Sequence, residues 1–425
     1  MKRLLVVCLL LALAGCGVPA DAPEPTPTGT LGVEAGYSYN DTIAVDASDG
    51  LTASELDAVI GRTMARLEYI RGLEFTDGVN VSIITRTEYR QDQPGETNRT
   101  HARWNNQVWE GLFIVGEDRD VSEVFNSTLG SAVLGYYETG SGNIVIVSDS
   151  AEPTINRNTL VHELVHALQD QRFGLEGSPP TQDRQLARNG VVEGEAGLLE
   201  RRYSQRCEEE WDCIDLVPTA GGGGGGVDRG LLEVVRYPYV VGPTFVESVQ
   251  QERGWDAVDD LHEEYPASTE QVTHPARYPD ERPVNVSVTD RSTDDWERFD
   301  HDPVADTVGQ ASLSVMFETN GIGGDNDRYR HRAATGWRGD SLVPYHNGDQ
   351  YGYVWELAWD TTGDARQFHS AYRKLLESHG ATREDTVYTV PESSSYGDAF
   401  RVTRDGRRIR IVNAPSVDAL AAIGG

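Results

Sequence analysis

The run His162-Glu163-Leu164-Val165-His166 constrains this chain more than any other stretch of it. Histidines at i and i+4 lie on one face of a helix, a turn apart, so both imidazoles can reach a single Zn²⁺ ion. The glutamate between them then stands beside the metal's open position, where it can take a proton from water. The neighbouring residues support a helix over Leu160 to Gln171. Projected at about 100° per residue, Leu160, Val161, Leu164, Val165 and Leu168 share an arc of roughly 140°. Both histidines fall on the flank of that arc, which argues against two core histidines packed among aliphatics.

A catalytic zinc needs a third protein ligand and keeps a fourth position open. The metzincin pattern would place a histidine a few residues after the second, preceded by glycine. The chain instead runs Ala167-Leu168-Gln169-Asp170-Gln171-Arg172-Phe173-Gly174, so that class fails. The alternative is a glutamate on a following helix, expected over Val191 to Tyr203. There Val192-Glu193-Gly194-Glu195-Ala196 offers two candidates.

HExxH followed by Glu-Gly-x-Ala resembles the gluzincin class of metallopeptidases, relatives of thermolysin and of the zinc aminopeptidases. The resemblance implies an α+β fold with a thermolysin-like or minimal gluzincin catalytic domain that hydrolyses peptide bonds by zinc-activated water. It implies Glu193, the glutamate before glycine, as the third ligand beside His162 and His166. Helical projection leaves the choice open. Glu195, not Glu193, falls in the middle of the arc formed by Val191, Val192, Ala196, Leu198 and Leu199.

Zinc aminopeptidases also place a transition-state tyrosine in a Tyr-x-x-Gly segment after the glutamate helix. Tyr239-Val240-Val241-Gly242-Pro243 stands in the corresponding order. By this resemblance the Tyr239 phenol stabilises the oxyanion that develops as water attacks a carbonyl. A packed aromatic at a helix start is the plain alternative. Further on, Ser268-Thr269-Glu270-Gln271-Val272-Thr273-His274-Pro275 resembles a segment of exported HExxH proteins. His274 is thereby a candidate second oxyanion donor or substrate contact, against the alternative of a loop residue. The likeness covers Asn143 to about Tyr278. The C-terminal part resembles that of surface lipoproteins from extreme halophiles, the haloarchaeal kind, and this supplies no function.

The N-terminus points outward. Lys2 and Arg3 precede an apolar stretch, Leu4 to Leu13, too short to span a bilayer as a mature helix. It ends in Leu13-Ala14-Gly15-Cys16, similar to the lipobox of secreted lipoproteins, in which the cysteine becomes the lipidated first residue. The expectation is a signal over 1–16, lipidation at Cys16, and a Pro/Thr-rich tether over 17–30 that leaves the body anchored to the cytoplasmic membrane, facing out. A plain signal with an accidental cysteine is the alternative. With Cys8 and Cys16 in the signal, Cys207 and Cys213 remain as a pair in an oxidising setting, and a short-loop disulfide follows. Asn-x-Ser/Thr sequons at Asn40, Asn80, Asn98, Asn126 and Asn285 fit an exported surface.

The formal net charge is −31, spread along the chain, and Lys374 is the sole lysine outside the signal. Such acidity suits high salt, where carboxylates hold water and screening removes their repulsion. It argues against nucleic acid as a partner, since phosphate binding needs basic patches.

Along the body, Thr52-Ala53-Ser54-Glu55 reads as a capping box that opens a helix running to about Arg71. Val79 to Thr85 and Asn143 to Val147 read as strands, and Leu112 to Val115 as a further short one. Glu88 to Gln107 shows no clear period. Helices are expected at Pro243 to Arg253 and Asp256 to Glu264, followed by a Pro-rich boundary stretch, Pro266 to Pro283. Beyond it stand the alternating run Tyr353 to Trp359, a helix over Asp364 to Ser378 and a hairpin turning at Asp405-Gly406. The expected division is a zinc-binding catalytic domain over 31–279 and a smaller α+β domain of unassigned role over 280–425.

Two functions compete. One is a membrane-anchored zinc metallopeptidase acting on peptides or proteins, with Glu163 as base and then acid. The other is a non-catalytic surface protein that keeps the scaffold for binding or envelope structure. A chain that had lost catalysis is expected to lose Glu163 early, and its presence favours the enzyme. Hydrolysis of a non-peptide bond by the same zinc also fits the sequence.

Overall fold

A computed structural model describes residues 29–46, 50–91, 98–129, 133–148, 155–214, 227–323 and 328–424. The signal, Cys16, most of the tether and the glycine run at 221–226 lie outside them. The architecture is α+β, with two sheets of more than two strands embedded among helices.

The first sheet has three strands. Asn80–Thr85 runs parallel to Asn143–Ser148, and Gly135–Glu138 pairs antiparallel on the other side of the latter. The central strand is covered on both faces, which is why it reads as an unbroken aliphatic run. Ile144 and Ile146 enter one cluster with Met64 and Leu67, while Val145 and Val147 enter another with Tyr89 and Tyr136. All five arc residues of the motif helix join Ile144 and Ile146 in the first cluster. That helix spans Arg157–Phe173. Asn156 caps its start by accepting from the N–H groups of Asn158 and Thr159.

The next two helices are longer than the sequence suggests. The glutamate helix spans Gln182–Glu209, because its first turns bury polar residues that hide the period. Asp183 accepts from Thr269, and Arg188 donates to the Leu175 carbonyl at 2.7 Å. The following helix runs Arg229–Arg253 straight through Pro238 and Pro243, so it starts fourteen residues before the expected Pro243. Interior prolines remove backbone bonds and ordinarily end a helix. Close packing sustains it here: a Cβ on Gly242 would lie 2.3 Å from the Gly190 carbonyl oxygen, and one on Gly194 would lie 2.6 Å from Gly242. The two helices cross backbone against backbone through these glycines.

The capping box at Thr52 and Glu55 is formed, and its helix spans Ala53–Arg71. A helix over Arg99–Gly111 occupies much of the stretch that shows no period, since its buried face includes Gln107 and Glu110 beside Trp104 and Val108. Leu112 to Val115, expected as a strand, is instead the turn that ends this helix, with Phe113 at φ 52°. The Pro-rich stretch holds a short helix, Thr269–Thr273, all of whose residues are buried.

The second sheet is antiparallel throughout. Its spatial order is Glu297–Arg298, Trp337–Asn347, Gln350–Trp359, Arg408–Ala414, Ala399–Asp405, Val387–Thr389 and Thr382–Glu384. One face packs Leu342, Tyr353, Trp355 and Leu357 with Val108, Leu112 and Phe113. The other packs Val343, Tyr345 and Val354 under the last helix, through Leu420 and Ile423. The largest cluster draws on both sides of residue 280, joining Val191, Tyr237 and Val272 to Leu313, Phe317 and Trp337. Cys207 and Cys213 form a disulfide just past the glutamate helix. Its loop sets Trp211 under the Arg66 guanidinium, 4.6 Å from the ring centre. No helix among the described residues is long and apolar enough to cross a membrane.

Candidate metal centre

The motif helix and the glutamate helix bring His162, His166 and Glu193 together, with one donor atom from each lying within 4.8 Å of the others. Glu193 Oε2 lies 3.1 Å from His162 Nε2 and 3.3 Å from His166 Nε2. A tetrahedral metal with bonds of about 2.1 Å needs donor separations of about 3.4 Å. Two imidazole nitrogens and one carboxylate oxygen at this spacing fit such an ion with a fourth position left over.

The outer nitrogens of the imidazoles are held as well. His166 Nδ1 lies 2.9 Å from Gln169 Oε1. The Gln169 amide is oriented unambiguously, because its nitrogen donates to the Val192 carbonyl at 3.0 Å and to Glu195 Oε2 at 2.8 Å. Its oxygen therefore accepts from His166 Nδ1–H, which leaves Nε2 as the ring nitrogen that faces Glu193. His162 Nδ1 faces Glu200 Oε2 at 3.3 Å.

Glu195, the other candidate ligand, is engaged elsewhere. It takes donors from Arg71, from Gln169 and from His262 Nε2, the last at 2.7 Å. Arg71 also pairs with Asp259 and lies over the Trp255 ring. Burial alone would raise the Glu195 carboxyl, but the Arg71 charge, with hydrogen bonds from His262 and Gln169, outweighs it and holds it well below the usual range.

The same competition acts at the triad. Burial works against charge on Glu193, yet the two histidines hold its carboxyl well below the usual carboxylate range. Burial would lower both imidazoles, but the hydrogen bonds His162 donates to Glu193 and Glu200 push it well up, and the Glu193 charge pushes His166 up. Glu163 is buried, and burial raises its carboxyl against the pull of the histidines. Its Oε2 has no hydrogen-bond partner. A buried, unpartnered carboxylate oxygen beside this cluster is suited to receive a proton from a molecule entering the site.

Tyr239 lies in the interior of its helix, not at a helix start, with its ring stacked 6.2 Å from that of His162. The Gly242 crossing, less than one turn along, brings the tyrosine close to the triad. His274 is not one of the three donors. It follows the buried short helix, meets Gln310 Nε2 at 3.1 Å, and is no member of the triad's cluster. Gln169, Glu200, Arg71 and His262 are the residues that sequence reasoning leaves without a role. Spacing carries a trace of two: Gln169 is one turn after His166, and Glu200 two turns after Glu193.

Residues 297–424 match the family described as a domain of unknown function, DUF8575. The match lies wholly downstream of the triad and includes the seven-stranded sheet. No curated protein matches the chain.

Proposed function

We propose that this chain is a zinc-dependent peptidase of the gluzincin kind, with a thermolysin-like catalytic region. It is exported and held by a lipid on Cys16 at the outer face of the cytoplasmic membrane. The observation that carries the reading is the convergence of His162 Nε2 and His166 Nε2 on Glu193 Oε2, beside the unpartnered Oε2 of buried Glu163. His162, His166 and Glu193 would hold a zinc ion there, and it would supply Lewis acidity. Glu163 takes the proton of the attacking water and passes it to the leaving amine. Tyr239 donates its hydroxyl to the oxyanion. The Cys207–Cys213 disulfide supports an oxidising location.

The test is made on the purified chain in molar salt, with zinc content and cleavage of an unstructured protein as readouts. Wild type is expected to hold one zinc per chain and to cleave. Glu163→Gln keeps the metal and abolishes cleavage. Cleavage that survives this change overturns the mechanism, and wild type without zinc overturns the reading as a whole.

A further inference from the structure

Two other acidic clusters gather among the described residues. In one, Glu270, Glu281 and Asp360 surround Arg277, whose Nη1 lies 2.7, 2.6 and 3.5 Å from them. A guanidinium already balances that cluster.

The other has no such balance. Glu110, Glu117 and Asp398 each place a carboxylate oxygen within 4.8 Å of the others. None of the three pairs with an arginine, lysine or histidine among the described residues. Glu110 and Asp398 are buried, at 3 % and 6 % exposure, while Glu117 reaches solvent. Buried carboxylates at this separation repel strongly unless a proton or a cation stands between them; with no cation present, burial pushes Glu110 well up and Asp398 up to about 7.

A second observation points to what that charge is. Gln107 Nε2 donates to Glu110 Oε2 at 2.7 Å, and Asn413 Nδ2 donates to Asp398 Oδ2 at 2.8 Å. The other ends of these amides, Gln107 Oε1 and Asn413 Oδ1, are buried with no hydrogen-bond partner. Each orphan oxygen belongs to an amide whose nitrogen is bonded to a carboxylate of the cluster. Buried acceptors are rarely left unsatisfied without reason.

Three carboxylates and two amide carbonyls form an all-oxygen set, with no histidine or cysteine. Calcium takes six to eight such oxygens, including carboxylates and Asn or Gln carbonyls, and fills the rest with water. Exposed Glu117 gives the entry path. We propose that Glu110, Glu117 and Asp398, with the carbonyls of Gln107 and Asn413, form a structural calcium site apart from the His162 centre. The ion ties two parts of the chain together. Gln107 and Glu110 sit at the end of the helix Arg99–Gly111, and Glu117 follows in a loop whose N–H donates to the Ser395 carbonyl at 3.0 Å. Asp398 immediately precedes the strand Ala399–Asp405, and Asn413 lies on its neighbour.

The test uses the full chain, stripped of calcium and kept in molar sodium chloride to suppress diffuse binding to its acidic surface. Calorimetric titration with calcium chloride is expected to show one saturable ion per chain, and the melting temperature to rise by several degrees. Glu117→Gln, at the exposed position, and Asp398→Asn each weaken that binding at least tenfold. His162→Ala leaves it unchanged, which separates this site from the zinc reading. Absence of saturable binding, or binding unaltered in both Glu117→Gln and Asp398→Asn, overturns the proposal. A calcium-free melting temperature that rises in both variants while calcium leaves wild type unmoved also overturns it.

Discussion

Gln169 gives its amide nitrogen to Glu195 at 2.8 Å and its carbonyl oxygen to His166, so the carboxylate that does not reach the triad still fixes how His166 faces it. The two glutamates of the Glu-Gly-x-Ala segment thus act on the centre at different removes. Glu193 meets both imidazoles, and Glu195 orients one of them through an intervening amide.

Exchange of each glutamate separates these roles. Glu193→Ala leaves no tightly bound zinc. Glu195→Ala takes from buried Arg71 one of its two carboxylate partners and from His262 its own, and costs about 3–5 kcal/mol, with metal still bound by the folded fraction. Urea denaturation and zinc analysis read the two effects. Metal retained in Glu193→Ala and lost in Glu195→Ala would reverse the assignment.

Gln169→Leu removes the acceptor of His166 Nδ1 and releases its tautomer. Loss of such an outer partner weakens metal affinity by about 10- to 100-fold while stoichiometry at saturation stays at one. Competition with a calibrated chelator measures the change. An affinity equal to wild type would count against the orienting role of Gln169.

Zinc uptake is expected to release protons. While no ion is bound, Glu193 acting against burial pushes His162 well above and His166 above the ordinary imidazole value, which favours an extra proton on each. An ion must displace them, and affinity therefore falls as pH falls, about tenfold per unit for each proton released. Calorimetry in buffers of different ionisation enthalpy counts these protons. Uptake with no proton release contradicts the charge state derived from the geometry.

The glycine crossing yields a test remote from the metal. Gly242→Ala puts a methyl group where the Gly190 carbonyl oxygen stands and forces the Tyr239 helix outward. Overpacking of this kind costs about 1–3 kcal/mol. Cleavage should drop more than zinc affinity does, because the tyrosine moves and the triad does not. Thermal melts, zinc titration and a peptide assay on one preparation would show whether the losses divide in this way.

Local signals were legible where one surface decides a residue's fate. The capping box at Thr52, the aliphatic strand at Ile144 and the arc of the motif helix each follow from burial on a simple period. Polar burial hid the rest. Gln107 and Glu110 erased the period of the helix Arg99–Gly111, and Asp183 and Arg188 did the same at the start of the glutamate helix. Two prolines disguised the first half of the Tyr239 helix, since only the tertiary contact at Gly242 explains its continuity. In the site, spacing could place His162 and His166 on one face but could not choose between Glu193 and Glu195. That choice depends on Arg71 and His262, which approach from elements distant in sequence.

The helix Ala53–Arg71 grips the glutamate helix at two separated levels. Arg66 meets the tip of the disulfide loop at Trp211, and Arg71 meets Glu195 near the middle. A shaft carried in two bearings can neither slide nor turn. An axial slip of one residue would shift Glu193 by about 1.5 Å and rotate it by about 100° away from the imidazoles. The axial position and rotation of the glutamate helix are therefore held from outside the triad, by a helix that contributes none of its three side chains.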